Sequence, residues 1–186
     1  MTIYFDTEFT QLSKNGELIS IGLVTDNDDA FYAEFTDFST DLLTDWHYEN
    51  VIKNLMNGEK PKCSRIIERI DNCVGMTGTR IEVRTELLIW LIGFQEEIQL
   101  VSDVCHYDFM FFIDIFGTAF DLPRCVNPTC IDINQEIAKH LNITNKEAFD
   151  INRESLIDKR DSIKHNALHD AIVIREVYKK INCDLK

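Results

Sequence analysis

The chain has 186 residues, 45% hydrophobic and 27% charged, which is ordinary for a soluble domain and enough for one sizeable core. Its formal net charge is −13, and residues 1–50 hold eleven acids against a single base, Lys14, which argues against a module held on nucleic acid by bulk electrostatics. No stretch is long and clean enough to span a bilayer, and charge arrives by Asp6 with no apolar run before it, so neither a membrane anchor nor a secretory leader is expected.

Three strand-like runs come first, over 2–9, 17–25 (ELISIGLVT) and 30–36 (AFYAEFT). Short polar turns at KNG and DNDD join them as antiparallel hairpins. Alternation in the first run puts Tyr4, Asp6 and Glu8 on one face and Ile3, Phe5, Thr7 and Phe9 on the other. A helix is expected over about 44–57, where Trp46, Val51, Leu55 and Met56 form a partial apolar stripe. A loop over 57–64 and a helix over 64–72 follow, and TGTR then leads into a longer helix over about 80–95. QLVSD (99–103) reads as a fourth strand, and YDFMFFIDIF (107–116) as an interior helix, apolar nearly all round. TCIDI (129–133) is a fifth strand, followed by helices over 134–140 and 167–181. With no repeat and no linker, the expectation is one domain over 1–182 with a short tail over 183–186. The class is α/β: a mixed five-stranded sheet, three antiparallel strands then two parallel, flanked by helices.

The six cysteines form no CxxC pair and no regular spacing. Reduced thiols in a cytoplasmic protein explain them better than a zinc site built from Cys125, Cys130 and His140.

Four acids stand where acids are costly. Asp6 and Glu8 lie side by side in an apolar strand, and like charges there repel. Asp108 falls in the first turn of the interior helix, where capping is the ordinary explanation. Asp170 lines up with Ile174, Val177 and Ile181, the core stripe of the last helix, while Arg175, Glu176, Lys179 and Lys180 take the wet face. All four sit on elements that should meet near one sheet end. Oxygen-only ligation of that kind suits a hard divalent cation, Mg²⁺ or Mn²⁺. In KHNALHDA, Asn166 reads as the helix N-cap, which leaves His165 on the preceding loop, able to lean over the same site; His169, inside the helix, aims elsewhere. Arg153, Lys159, Arg160 and Lys164 precede it, either as a solvated run or as phosphate contacts.

These residues resemble the three motifs of the DEDDh 3′–5′ exonucleases, a ribonuclease H-like superfamily. Asp-x-Glu appears as Asp6-Thr7-Glu8, and His-x4-Asp as His165 to Asp170. The second motif, in which Asn precedes Phe/Tyr-Asp, appears as Asp103-Val-Cys-His-Tyr107-Asp108, with Asp103 where Asn is usual. Asp103 is therefore an alternative or supporting acid, and Asp108 the favoured ligand. Within the superfamily, YFDTEF…ELISIG and HNALHDA look most like the mycobacterial-type 3′–5′ exoribonucleases. The resemblance implies two Mg²⁺ or Mn²⁺ ions held by Asp6, Glu8, Asp108 and Asp170, with His165 as general base. It implies substrate contacts from Thr7, Phe9, Tyr107 and Lys164, and release of nucleoside 5′-monophosphates from single-stranded RNA or 3′ overhangs. A DNA exonuclease with the same site and a catalytically silent binding domain are the rival readings, and a homodimer is expected only because relatives form them.

Overall fold

The computed structural model describes residues 1–56, 66–157 and 165–183. The expected loop over 57–64, Lys159, Arg160, Lys164 and the end of the tail lie outside them.

The chain opens with the antiparallel strands β1 (Thr2–Phe9), β2 (Leu18–Thr25) and β3 (Ala30–Phe35). β2 and β3 are buried at every position, which is why they read as near-continuous apolar runs. A short helix α1 (Asp45–Asn50) follows, and then a hairpin of β4 (Ile66–Ile70) and β5 (Cys73–Gly78). Next come α2 (Arg80–Gly93), β6 (Ile98–Ser102), α3 (Cys105–Phe116), β7 (Val126–Asp132), α4 (Ile133–Leu141), α5 (Asn145–Asp150) and α6 (Ala167–Cys183). Among the described residues the sheet has seven strands, in the order β4-β5-β3-β2-β1-β6-β7. β1 pairs parallel with β6, β6 with β7, and β3 with β5.

The five expected strands form one contiguous block of this sheet, β3-β2-β1-β6-β7, in the expected sense, and the β4–β5 hairpin added beside β3 is the correction. The expected helix over 64–72 is strand β4. Its apolar residues at 66, 67 and 70 fit helical spacing, but pairing with β5, itself docked on β3, decides the outcome. Asp71, at φ 50°, and Asn72 make the tight two-residue turn between them.

One face of the sheet carries Ile3, Phe5, Leu23 and Phe31 against Leu87 of α2 and Phe112 of α3. The other carries Tyr4, Val24 and Val101 against Ile137 of α4 and Ile174 and Val177 of α6. Arg175 departs from the expected wet face. It is buried, and it donates to the Thr25 carbonyl at 2.9 Å and to Asp28 at 2.7 Å, tying α6 to the β2–β3 turn. Among the described residues, no helix is long and apolar enough to cross a membrane.

Candidate active site

Asp6 and Glu8 project from β1 on the face that α6 covers, and Asp170 lies in the first turn of α6. How the helix comes so close is set by Gly22, the β2 residue paired with Asp6. A Cβ at Gly22 would stand 2.2 Å from the Leu168 nitrogen and 2.4 Å from the Ala167 carbonyl carbon, so only glycine lets the start of α6 rest on the sheet. Asn166 caps that helix, its side chain accepting from the His169 amide at 3.1 Å. His165 precedes it in the left-handed region, at φ 58°.

The result is a tight acid cluster. One carboxylate oxygen from each of Asp6, Glu8 and Asp170 lies within 4.8 Å of the others. Burial, followed by the charges of Asp108, Asp170 and Glu8, raises the Asp6 carboxyl well above the usual range. Glu8 is raised likewise, by burial and then by Asp170 and Asp108. Asp170 is pushed up to about 7 by burial, against the opposing pull of the His165 and Asn166 amides that donate to it. Such a set wants a counter-charge. Three oxygen donors and no sulfur fit a hard divalent cation such as Mg²⁺ or Mn²⁺.

Asp108 stands beside this trio and is not part of it. It is 2% exposed, and it accepts from the Thr7 hydroxyl at 2.6 Å and from the Ser102 hydroxyl. Burial raises its carboxyl to about 6, and the two hydroxyls hold it from rising further. Thr7 thus spends its hydroxyl on Asp108, although it also borders the cleft. Asp103 is gripped by Arg153, with Nε to Oδ2 at 3.0 Å and Nη2 to Oδ1 at 2.7 Å. Arg153, expected in a solvated or phosphate-binding run, is therefore an internal ion-pair partner.

His165 sits at the rim, with Nδ1 3.9 Å from Glu8 Oε1 and its ring edge-on to Trp46 at 5.0 Å. The cleft has a volume of about 700 Å³ and is lined by the apolar side chains of Phe9, Leu12, Leu42 and Trp46 as well as by the acids. Phe9 is stacked on Phe111 at 4.7 Å. Tyr107 does not line the cleft; it packs against Phe9 at 6.1 Å. His169 does not line it either. Among the described residues no group of Cys125, Cys130 and His140 gathers around a possible ion.

Ser102, Trp46 and His47 were not singled out as site residues from sequence, and Arg153 was named there only as part of a basic run. His47 accepts from the Thr44 amide at 3.0 Å and hydrogen-bonds the backbone of Phe9 and Thr10, which fastens α1 beside the end of β1. Trp46, half exposed next to a histidine, is the one of these that an exposed-aromatic signal could have flagged.

No family model matches the chain, and no curated protein matches it significantly. Solved structures do. The chain superposes over 98% of its length on a 3′-exonuclease solved in 3′-end specific recognition of a histone mRNA stem-loop, with a TM-score of 0.65 and 13% identity, and spans 63% of that chain. On the nuclease domain of 3′hExo, a DEDDh family member bound to rAMP, the TM-score is 0.65 at 14% identity, covering 98% of this chain and 92% of that one. A full-length 3′-exonuclease gives 0.62 at 14% identity, covering 98% and 81%. At these identities the likeness establishes the fold, the ribonuclease H-like fold of DEDDh exonuclease domains. The finer likeness to the mycobacterial-type enzymes stands on the sequence motifs alone.

Proposed function

We propose that this chain is a cation-dependent 3′–5′ exonuclease acting on RNA and releasing nucleoside 5′-monophosphates. The observation that carries it is the convergence of Asp6, Glu8 and Asp170 within 4.8 Å beneath His165, at the end of a sheet with the exonuclease fold. In this reading Asp6, Glu8 and Asp170, with Asp108 behind them, would hold two Mg²⁺ or Mn²⁺ ions, which when bound supply Lewis-acid chemistry at the scissile phosphate. His165 takes the proton of the attacking water, and the Glu8 carboxylate facing Nδ1 stabilises the imidazolium that forms. Water oxygen adds to phosphorus, the P–O3′ bond breaks, and the 3′-oxygen leaves with the shortened strand. The amide of His165 donates to Asp170, so the base and one acid are positioned as a unit. Phe9 and Trp46 offer the terminal nucleoside an apolar face in the same cleft as the acids. Asp108, held by Thr7 and Ser102, locks β1 to the start of α3 and adds negative potential behind the cluster.

RNA is favoured over DNA by the motif likeness and by the RNA stem-loop and rAMP named for two of the similar structures. We place the protein in the cytoplasm on the same reading, with Lys164 as a phosphate contact. The deciding experiment incubates 3′-labelled RNA and DNA single strands with the protein in Mg²⁺, Mn²⁺ or chelator. Stepwise 3′ shortening of RNA only with cation is expected. Undiminished shortening in excess chelator rules out the cation mechanism, and shortening of DNA alone reassigns the substrate.

A further inference from the structure

Arg153 lies on the 3-10 turn Arg153–Leu156, with its side chain 11% exposed, and its donors are almost all spoken for. Besides the two-pronged pair with Asp103, Nη1 donates to the Ala148 carbonyl at 2.9 Å and to the Ile151 carbonyl, and Nη2 donates to Asn134 Oδ1. Asn134, 5% exposed, returns its own Nδ2 to the Asp103 carbonyl at 2.6 Å and to Asp132 at 2.9 Å. One guanidinium therefore joins the loop after β6, the start of α4, the end of α5 and the cleft wall. A planar fork that meets a carboxylate with two bonds while serving three further acceptors is work a lysine cannot do.

What this network restrains is a charge. Asp103 lines the same cleft as Asp6, Glu8 and Asp170. Yet the trio that can share a cation excludes it. Its two carboxylate oxygens are turned to the Arg153 guanidinium instead. We propose that Arg153 is a positioning residue for the acid cluster: it holds Asp103 back as an ion-paired part of the wall, so that the cation trio is built from Asp6, Glu8 and Asp170. This rests on the cation-dependent reading above, but its readout is cation binding and not hydrolysis.

The test is a calorimetric Mn²⁺ titration of the metal-free full chain, as parent, Arg153→Gln, Asp103→Asn and the double variant. Arg153→Gln leaves an uncompensated carboxylate beside the site, and Mn²⁺ should bind about fivefold tighter; Asp103→Asn leaves an uncompensated cation, and Mn²⁺ should bind about fivefold weaker. The double variant restores neutrality and should return to within about twofold of the parent. Opposite shifts that cancel in the double are something a merely structural brace does not produce, since losing a brace would lower the melting temperature of both singles and weaken Mn²⁺ binding in both or in neither. Either of those two patterns overturns the proposal. Should Arg153→Gln fail to fold, Arg153→Lys keeps the charge without the fork, and its Mn²⁺ affinity should stay within about twofold of the parent while its melting temperature falls. A Lys variant that binds Mn²⁺ tenfold differently refutes it. A parent that binds no Mn²⁺ overturns the cation site itself, and this inference with it.

Discussion

Replacing Asp6 by Asn should stabilise the metal-free protein at pH 8 and do nothing at pH 4. Asp6 shares its cluster with Glu8 and Asp170, with ligand oxygens within 4.8 Å, and two unit charges at that separation repel by about 3 kcal/mol at an effective dielectric constant of about 20. Proton uptake and screening reduce this, and an expected net gain is about 1 kcal/mol, or about 3 °C in melting temperature for a domain of this size. The pH dependence follows from the direction of the shifts. Asp6 and Glu8 are raised in the folded state, with Asp108 at about 6 and Asp170 at about 7. A carboxyl raised on folding contributes stability that is fully present below its unfolded value, about 4, and lost as pH rises through its folded value. The metal-free parent should therefore lose stability as pH rises from about 4 through about 7, and the Asn variant lacks Asp6's share of that loss. Mn²⁺ inverts the order: at 100 times its dissociation constant a cation bound only to the native parent adds about 2.7 kcal/mol, and the variant's neutral amide forfeits most of that. Melting curves of both proteins at pH 4 and pH 8, in chelator and in Mn²⁺, check every step. A variant that melts below the parent at pH 8 in chelator would show Asp6 to be a structural acceptor, and an equal gain at both pH values would remove charge from the explanation.

Asp108→Ala should abolish turnover at saturating Mn²⁺ far more completely than Asp103→Ala, because Asp108 stands directly behind the cluster whereas Asp103 is paired with Arg153; a dead Asp103→Ala protein with an active Asp108→Ala protein reverses that assignment. Gly22→Ala should cost about 3 kcal/mol and at least tenfold in kcat, since a methyl at that position meets the backbone of Ala167 and Leu168 and must push α6, with Asp170, off the sheet. Denaturant midpoints and steady-state rates read both effects, and an unshifted midpoint would mean α6 moves freely there. Thr7→Val should cost about 1 to 2 kcal/mol and raise the Asp108 carboxyl further above 6, readable as a shifted titration of that side chain; an unchanged titration would place the Thr7 hydroxyl outside its control.

How much of this was legible in the chain divides along sequence distance. Asp6 and Glu8 share a face because they are two apart in a strand, and Asp170 turns inward because it lies on the stripe of Ile174, Val177 and Ile181; both facts are local periodicity, and both hold. Asn166 as a cap and His165 on the loop before it are equally local. The β4–β5 hairpin was missed because IIERI carries helical spacing and only its partner strand decides the state, although Asp71-Asn72 was a usable turn signal. Gly22 reads as an unremarkable strand glycine until α6 is laid across it from 145 positions away. Arg175 looked like surface because its partners, Thr25 and Asp28, are as distant.

Asp103 and Arg153 make the same point with a consequence for the chemistry. On the motif pattern Asp103 was an anomaly, a charge where a neutral amide is usual, and Arg153 was one base in a polar run; fifty residues apart, no periodicity links them. Brought together they form an ion pair, which offsets part of the added charge beside the cluster. A substitution that enlarges an acidic site is partly offset when a cation is recruited from another element. The partners differ from acid to acid: Asp108 accepts from two hydroxyls and Asp103 from a guanidinium, while Asp6, Glu8 and Asp170 turn one oxygen each toward a common point where a cation could sit.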